Sequence, residues 1–276
     1  MCHVSPLFLA KLGGIRRFTS GLSLTTPKLT VNALQQLLDK KIYALVIPNF
    51  IDKEVCGYAS KKLLTNKIQE YTNAPGIGRV GIAFYETTNN PEMEKAYFDE
   101  AHKNLDVIRS VFSPYHAPID KLRVVLDEIW HPGANLDTRD RKMFVGLCRS
   151  LENGRNILPH EDVLERDDPK NSAQSPLKVQ LACNVYLQTS QKGGELELYD
   201  KSYQTAEYDK LRGDSYGIRR EWVPPVIVKI TPNVGDLILF NGNNLHSVSL
   251  VEGIARLSIG CFIGYRSQTT ALKVWS

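Results

Sequence analysis

The second half of the chain is written as short apolar runs cut by turn residues, and this rhythm constrains the fold more than any other feature. The runs fall at 143–149, 178–187, 195–199, 226–230, 236–240, 246–250 and 256–265. Between them stand Gly193-Gly194, Pro224-Pro225, Pro232-Asn233, Asn241-Gly242 and Glu252-Gly253, residues that end strands and turn the chain. Many short strands with this punctuation predict a β-sandwich or jelly roll. The segment 201–220 is polar and charged, with Gly213 and Gly217, and reads as a long insertion of the kind that often forms a lid.

The first half reads mainly as helix. Thr30 is placed to cap a helix through Lys41, with Leu34, Leu37 and Leu38 on one face. The run 43–47, bounded by Pro48, is a predicted strand. Asp52 opens a helix through about Tyr71, Pro91 begins one to about Phe112, and Pro118 another through Trp130. The expected architecture is α+β: an N-terminal extension (1–28), helical support (29–140) and a jelly-roll core (141–276), the last two forming a single domain of 29–276.

Composition narrows the function classes. The 276 residues suit one large domain, and 42% hydrophobic with 23% charged is ordinary for a soluble globular protein. No apolar run nears the ~20 residues of a membrane span. The net charge of +4 is not gathered into a basic stripe, so neither nucleic acid nor membrane is an expected partner. Cys2, Cys56, Cys148, Cys183 and Cys261 are scattered, without a C-x-x-C pair, which predicts reduced thiols and a cytoplasmic setting. The first acidic residue is Asp39, and the acid-poor N-terminus leaves organellar targeting open beside a plain extension.

The chemistry lies in the order His160-x-Asp162, His246, Arg256. In an extended segment residues i and i+2 point to one side, so His160 and Asp162 aim together and Glu161 turns away. His246 opens a predicted strand after the 241–245 turn. Two imidazoles and a carboxylate on one face, with the other face open, are the donor set of a mononuclear non-haem Fe(II) site. Arg256, early in the next strand of the same apparent hairpin, is expected ~5 Å across. Its planar fork suits the far carboxylate of a 2-oxo acid co-substrate. Each residue alone is ordinary: His-x-Asp recurs by chance, a histidine at a strand start is commonly just polar, and an arginine commonly makes a surface ion pair. Their order and surroundings favour the metal, with Gly235-Asp236-Leu237-Ile238-Leu239-Phe240 leading into the turn before His246 and Gly193-Gly194-Glu195-Leu196 lying between the ligands.

These residues resemble the Fe(II)/2-oxoglutarate-dependent oxygenases over roughly 144–276. Within them the chain is similar to the small-molecule branch of free-amino-acid hydroxylases and radical halogenases. The features shared are Gly193-Gly194-Glu195-Leu196, Gly235-Asp236 with Phe240-Asn241, Cys261-Phe262-Ile263-Gly264-Tyr265 and the Trp275-Ser276 ending. Gly78-Arg79-Val80-Gly81 resembles the lysine-halogenase group and its hydroxylase relatives. The resemblance implies a double-stranded β-helix, cupin-like. It implies Fe(II) on His160, Asp162 and His246, 2-oxoglutarate salt-bridged by Arg256, and dioxygen consumed with formation of a ferryl species that abstracts hydrogen from substrate. Halogenases of this branch carry Gly or Ala where this chain has Asp162. A third protein ligand fills the position a halide needs, so Asp162 points to hydroxylation.

The expected substrate is a free amino acid or similar small metabolite. In the resembling group an arginine placed like Arg79 meets the substrate carboxylate; Arg79 follows the predicted loop 75–78, and a surface role is the plain alternative. Glu128 and Trp130 precede His131-Pro132-Gly133 and could line the mouth, though helix packing explains Trp130 more simply. Asn184 and Tyr186 alternate with Cys183 and Val185, and one of these faces is expected at the cofactor pocket. Trp275 either closes over the site or packs on the sheet edge. His3, His102, His116 and His131 read as structural or surface residues. Desaturation or cyclisation after the same hydrogen abstraction, a protein side chain as substrate, and a non-catalytic jelly-roll sensor of iron or 2-oxoglutarate stay open. Oligomeric state is not read from the sequence.

Overall fold

The computed structural model describes residues 21–65, 69–71, 74–138 and 141–276. Most of the expected N-terminal extension, with Cys2 and His3, therefore lies outside the described residues. In the first half the chain forms β1 (Ser23–Thr25), α1 (Val31–Leu38), β2 (Ala44–Ile47), α2 (Lys53–Thr65), β3 (Gln69–Tyr71) and β4 (Ala74–Val80). A 3-10 turn at Phe84–Thr87 precedes α3 (Pro91–Phe112), α4 (Pro118–Ile129) and β5 (Ala134–Leu136). Then come β6 (Leu147–Leu151), β7 (Ile157–His160), α5 (Leu164–Asp167), α6 (Pro169–Ser172), β8 (Val179–Gln188), β9 (Lys192–Gly193) and β10 (Leu196–Leu198). The chain continues through α7 (Thr205–Arg212), β11 (Val228–Ile230), β12 (Leu237–Asn241), β13 (His246–Val248), β14 (Val251–Glu252), β15 (Arg256–Tyr265) and β16 (Leu272–Trp275).

The helices start where the capping chemistry puts them. Thr30 Oγ1 accepts from Ala33 N at 3.2 Å, and α1 buries Ala33, Leu34, Leu37 and Leu38 as one stripe. Asn90 caps α3 by accepting from Met93 N at 3.1 Å, and Pro91 takes the first turn, where its missing N–H costs nothing. α2 ends at Thr65, short of the expected Tyr71, because Gln69–Tyr71 leaves the helix to pair with β4.

A large sheet runs in the order β1-β2-β12-β8-β15-β6-β4-β3, with β16 on β15 and β5 on β16. A smaller sheet runs β11-β10-β13-β7. The central strands β8 and β15 are buried along almost their whole length, which is why they read as continuous apolar runs. Parity along each strand divides two cores. Leu181, Cys183, Val185 and Leu187 of β8 join Leu237 and Leu239 of β12 and the stripes of α1 to α4 in the main core. Ala182 and Tyr186, with Ile238 and Phe240, face the other way onto Leu196, Leu198, Val228 and Ile230 of the small sheet. The second face carries the site, and Asn184 shares it by parity.

Strand existence follows the sequence reading more closely than strand ends do. β15 has the expected bounds, whereas β6 begins at Leu147 and continues to Leu151, past the expected end at Arg149. Residues 75–78, read as a loop, are instead part of β4, which pairs with β6 through Ile77↔Leu151 and Arg79↔Arg149. Cys56, Cys148, Cys183 and Cys261 are all free thiols. No described helix is long and apolar enough to cross a membrane.

Candidate metal centre

β7 is an edge strand of the small sheet, which is what allows Pro159 to sit in it without breaking a ladder. Its inner neighbour is β13, and the two pair antiparallel with His160 directly opposite His246. The register slips between His246 and Val248, a local irregularity of the kind used to re-aim a side chain. Asp162 lies two residues beyond β7, pinned where its N–H donates to Gly242 O at 2.9 Å, in the turn that leads to His246. The expected i, i+2 geometry holds: Asp162 joins His160, and Glu161 turns away to Arg166 at 2.6 Å and to the N–H of Tyr203 at 2.7 Å.

One ligand atom from each of His160, Asp162 and His246 lies within 4.8 Å of the other two. The Asp162 carboxylate is 3.2 Å from His246 Nε2 and 4.0 Å from His160 Nε2. Each imidazole is held at its other nitrogen: His160 Nδ1 is 2.8 Å from Leu158 O and His246 Nδ1 is 3.0 Å from Asn244 O. A carbonyl only accepts, so Nδ1 carries the proton and Nε2 offers its lone pair toward the shared centre. Burial, followed by the neighbouring His246, pushes the His160 ring down to about 4, so it is neutral near pH 7. Burial alone would raise Asp162, but His246 and then His160 outweigh it and hold the carboxyl at about 2. Two imidazoles and one carboxylate, packed this closely, fit a single divalent ion of the Fe(II) type.

The triad opens into a cavity of about 710 Å³ lined from both sheets, α5, α7 and the turn before α3. Arg256 lies on its far wall, 4% exposed. The sequence reading put Arg256 in a hairpin with His246. It starts β15 of the large sheet, paired to Leu151, while β13 lies in the small sheet. Ligand and arginine thus face each other from different sheets. Arg256 Nη2 donates to Tyr186 Oη at 3.2 Å, and the guanidinium lies 4.8 Å over the Tyr186 ring. Its Nε is buried without a partner among the described residues. A buried unpaired donor is costly, and a carboxylate from the cavity would satisfy it. Gly194, at φ +69°, makes the turn beside this arginine: a Cβ there would lie 3.4 Å from Arg256 Cδ and 2.5 Å from Ser190 Oγ. Asn184 lines the cavity as well, opposite Gly260, where a Cβ would collide with its amide.

Three of the expected substrate residues sit elsewhere. Arg79 is buried and paired to Glu86 at 2.9 Å, and it is Glu86 that lines the cavity. Glu128 is exposed on the outer face of α4, away from the cavity. Trp275 is buried in β16 against Phe262, with ring centroids 5.6 Å apart, so it packs on the sheet, and Ser276 reaches the cavity. Trp130 is likewise buried, its indole N–H donating to Thr270 O at 3.0 Å.

Residues that sequence reasoning missed complete the walls. Arg149 lines the cavity, and its charge acts on both His160 and Asp162. The signal was there: one cation inside Leu147-Cys148-Arg149-Ser150-Leu151 has no reason to be in a buried strand unless it serves a site. The insertion at 201–220 docks on the metal strand. Tyr216 Oη accepts from Leu158 N at 2.8 Å, Ile218 N donates to Pro159 O at 2.7 Å, and Gly217 comes so close that a Cβ would lie 2.8 Å from that carbonyl. Tyr208 and Tyr216 line the cavity from this segment.

The family model of the carrier-protein-independent halogenase WelO5 matches residues 21–276. The leucinostatins biosynthesis cluster protein S of Purpureocillium lilacinum is 31% identical over 221 residues, 73% of this chain and 86% of that protein. The L-gamma-glutamyl-L-propargylglycine hydroxylase of Streptantibioticus cattleyicolor is 30% identical over 138 residues, 49% of this chain and 50% of that one. Among solved structures, an N-substituted L-amino acid dioxygenase from Burkholderia ambifaria shares the fold, with a TM-score of 0.62 at 15% identity over 89% of this chain and 91% of that one. The chain belongs to the carrier-protein-independent halogenase WelO5 family.

Proposed function

We propose that the protein is an Fe(II)- and 2-oxoglutarate-dependent dioxygenase that hydroxylates an unactivated C–H bond of a free amino acid or similar small metabolite. The observation that carries this reading is the Asp162 carboxylate, 3.2 Å from His246 Nε2 within a three-residue donor set. In a family described by its halogenases, a protein carboxylate at this point takes up the position a halide needs, which favours oxygen transfer. His160, Asp162 and His246 hold the metal, with the imidazole tautomers fixed by Leu158 O and Asn244 O. Arg256, steadied by Tyr186, takes the far carboxylate of 2-oxoglutarate, and Asn184 stands on the same wall as a further hydrogen-bonding group. Bound together, iron and 2-oxoglutarate supply the oxidising chemistry, with succinate and carbon dioxide as co-products. Tyr208 and Tyr216 narrow the water-accessible space over the metal strand.

The two facing sheets are read as a double-stranded β-helix, residues 29–276 as one domain, and residues 1–28 as its extension. Both relatives named for their substrates act on amino-acid derivatives, a γ-glutamyl dipeptide and an N-substituted L-amino acid, which supports that substrate class here. The test is to load anaerobic protein with Fe(II) and 2-oxoglutarate, add a panel of free and N-substituted amino acids, admit oxygen, and measure succinate and product mass. Succinate stimulated by one compound, with a product heavier by one oxygen, is the expected result. A product lighter by two hydrogens selects desaturation or cyclisation, and a chlorinated product from unmodified protein sinks the hydroxylase reading.

A further inference from the structure

One carboxylate on the cavity wall has no cation paired to it. Five carboxylates line the cavity: Glu86, Glu161, Asp162, Asp167 and Asp209. Glu86 is paired to Arg79 at 2.9 Å, Glu161 to Arg166 at 2.6 Å and Asp209 to Arg212 at 2.8 Å. Asp162 belongs to the metal triad. Asp167 alone has no ion pair among the described residues; the hydrogen bond it accepts there comes from Thr88 Oγ1, at a long 3.4 Å. The adjacent cation, Arg166, turns its Nη2 to Glu161 and to Tyr203 O at 2.8 Å; its Nη1 is buried without a hydrogen-bond partner among the described residues, and no ion pair joins it to Asp167. Burial, and next the Asp162 charge, pushes the Asp167 carboxyl up to about 7; the Thr88 hydrogen bond and the Arg166 charge oppose this but do not offset it.

A carboxylate held in a reaction cavity without its cation is an incomplete contact. Asp167 ends α5, seven residues beyond His160, on an element that packs against the turn bearing Glu86. It thus shares the cavity with the metal triad while staying off the metal. We propose that Asp167 is the specificity-determining receptor for a cationic group of the substrate, an ammonium, which completes the ion pair that the wall leaves open. This rests on the oxygenase reading and narrows its substrate class to compounds carrying a free amine. A neutral or purely anionic metabolite leaves the half-buried Asp167 without a counter-charge. An ammonium brings that charge with it and is oriented by it, with Thr88 as a second polar neighbour.

The test uses n-butylammonium and the near-isosteric 1-butanol as probes, titrated calorimetrically into the full chain loaded anaerobically with Fe(II) and 2-oxoglutarate. Unmodified protein is expected to bind the ammonium at least about tenfold more tightly than the alcohol, the scale of one hydrogen bond to a charged group. Asp167→Asn, close in shape, should bring the two probes to within about twofold, and Asp167→Glu should keep most of the preference. No preference in the unmodified protein, including no measurable binding of either probe, overturns the proposal, as does a preference that survives in Asp167→Asn. Iron and 2-oxoglutarate binding are read in the same titrations before the probes are added. Their failure would sink the oxygenase reading while leaving the Asp167 comparison intact, because both proteins carry the same Asp162.

Discussion

The metal triad and the rest of the cavity wall are built by different rules. On the metal side, three donors come from two paired strands and the two residues that follow one of them, so short-range backbone geometry sets nearly every angle. His160 faces His246 through strand register, each ring is fixed by the carbonyl two residues before it, and Asp162 is tied to the turn at Gly242. The rest of the cavity wall gathers single residues from separate elements: Glu86 from a 3-10 turn, Arg149 from β6, Asp167 from α5, Tyr208 from α7 and Arg256 from β15. A site of the first kind follows from local pattern, whereas one of the second kind exists only once the sheets have stacked.

The comparison can be broken first at the metal. His246→Ala should lower Fe(II) affinity by more than about a hundredfold and abolish succinate formation, since even the loss of a supporting partner of a ligand costs about 10- to 100-fold. Asp162→Gly should abolish hydroxylation; hydroxylation retained at near-normal rate would remove Asp162 from the ligand set. A second cut separates pairing from recognition. Arg79→Met strands Glu86 in the wall and should cost about 3 kcal/mol in chemical denaturation. A rise in substrate KM with unchanged stability would restore Arg79 as a substrate contact.

Smaller effects sharpen the account. Arg256→Met should raise the 2-oxoglutarate KM about 10- to 100-fold, as expected for a lost charge-assisted contact, with Fe(II) binding nearly unchanged. Tyr216→Phe removes the acceptor of Leu158 N and should cost about 1 kcal/mol in thermal unfolding, with a slight rise in succinate formed without product. Glu128→Gln, on the outer face of α4, should change neither stability nor turnover beyond about 0.5 kcal/mol.

How much was legible follows the same division. α3 was readable end to end because Pro91 starts it and Phe112 closes its apolar stripe; the Asn90 cap showed only in the structure. β15 was readable because its apolar run from Leu257 to Tyr265 is broken only by Ser258 and two glycines. The three donors were readable because alternation along a strand and a turn before His246 are local properties. Arg256 was assigned its partner but not its sheet, since sequence adjacency of β13 and β15 hid that the chain crosses from one sheet to the other. Pro75 and Gly76 read as loop punctuation, yet the segment lies where β6 offers an open edge, and pairing there overrides local propensity. Glu128 was placed by its nearness to His131-Pro132-Gly133, and Trp275 by the resemblance of the chain's ending, with sheet packing as its alternative. Helix phase turns Glu128 outward, and strand pairing buries Trp275. Arg149 and Asp167 were missed because each is a single charge whose purpose shows only against the cavity it faces.

The central claim is tested most directly by titrating the metal-free protein anaerobically with Fe(II), with and without 2-oxoglutarate, beside His246→Ala. One Fe(II) and one 2-oxoglutarate per chain, with the second binding only after the first and both lost in the variant, is the result predicted. Absence of Fe(II) binding to the unmodified chain, or binding that the variant leaves intact, would contradict it.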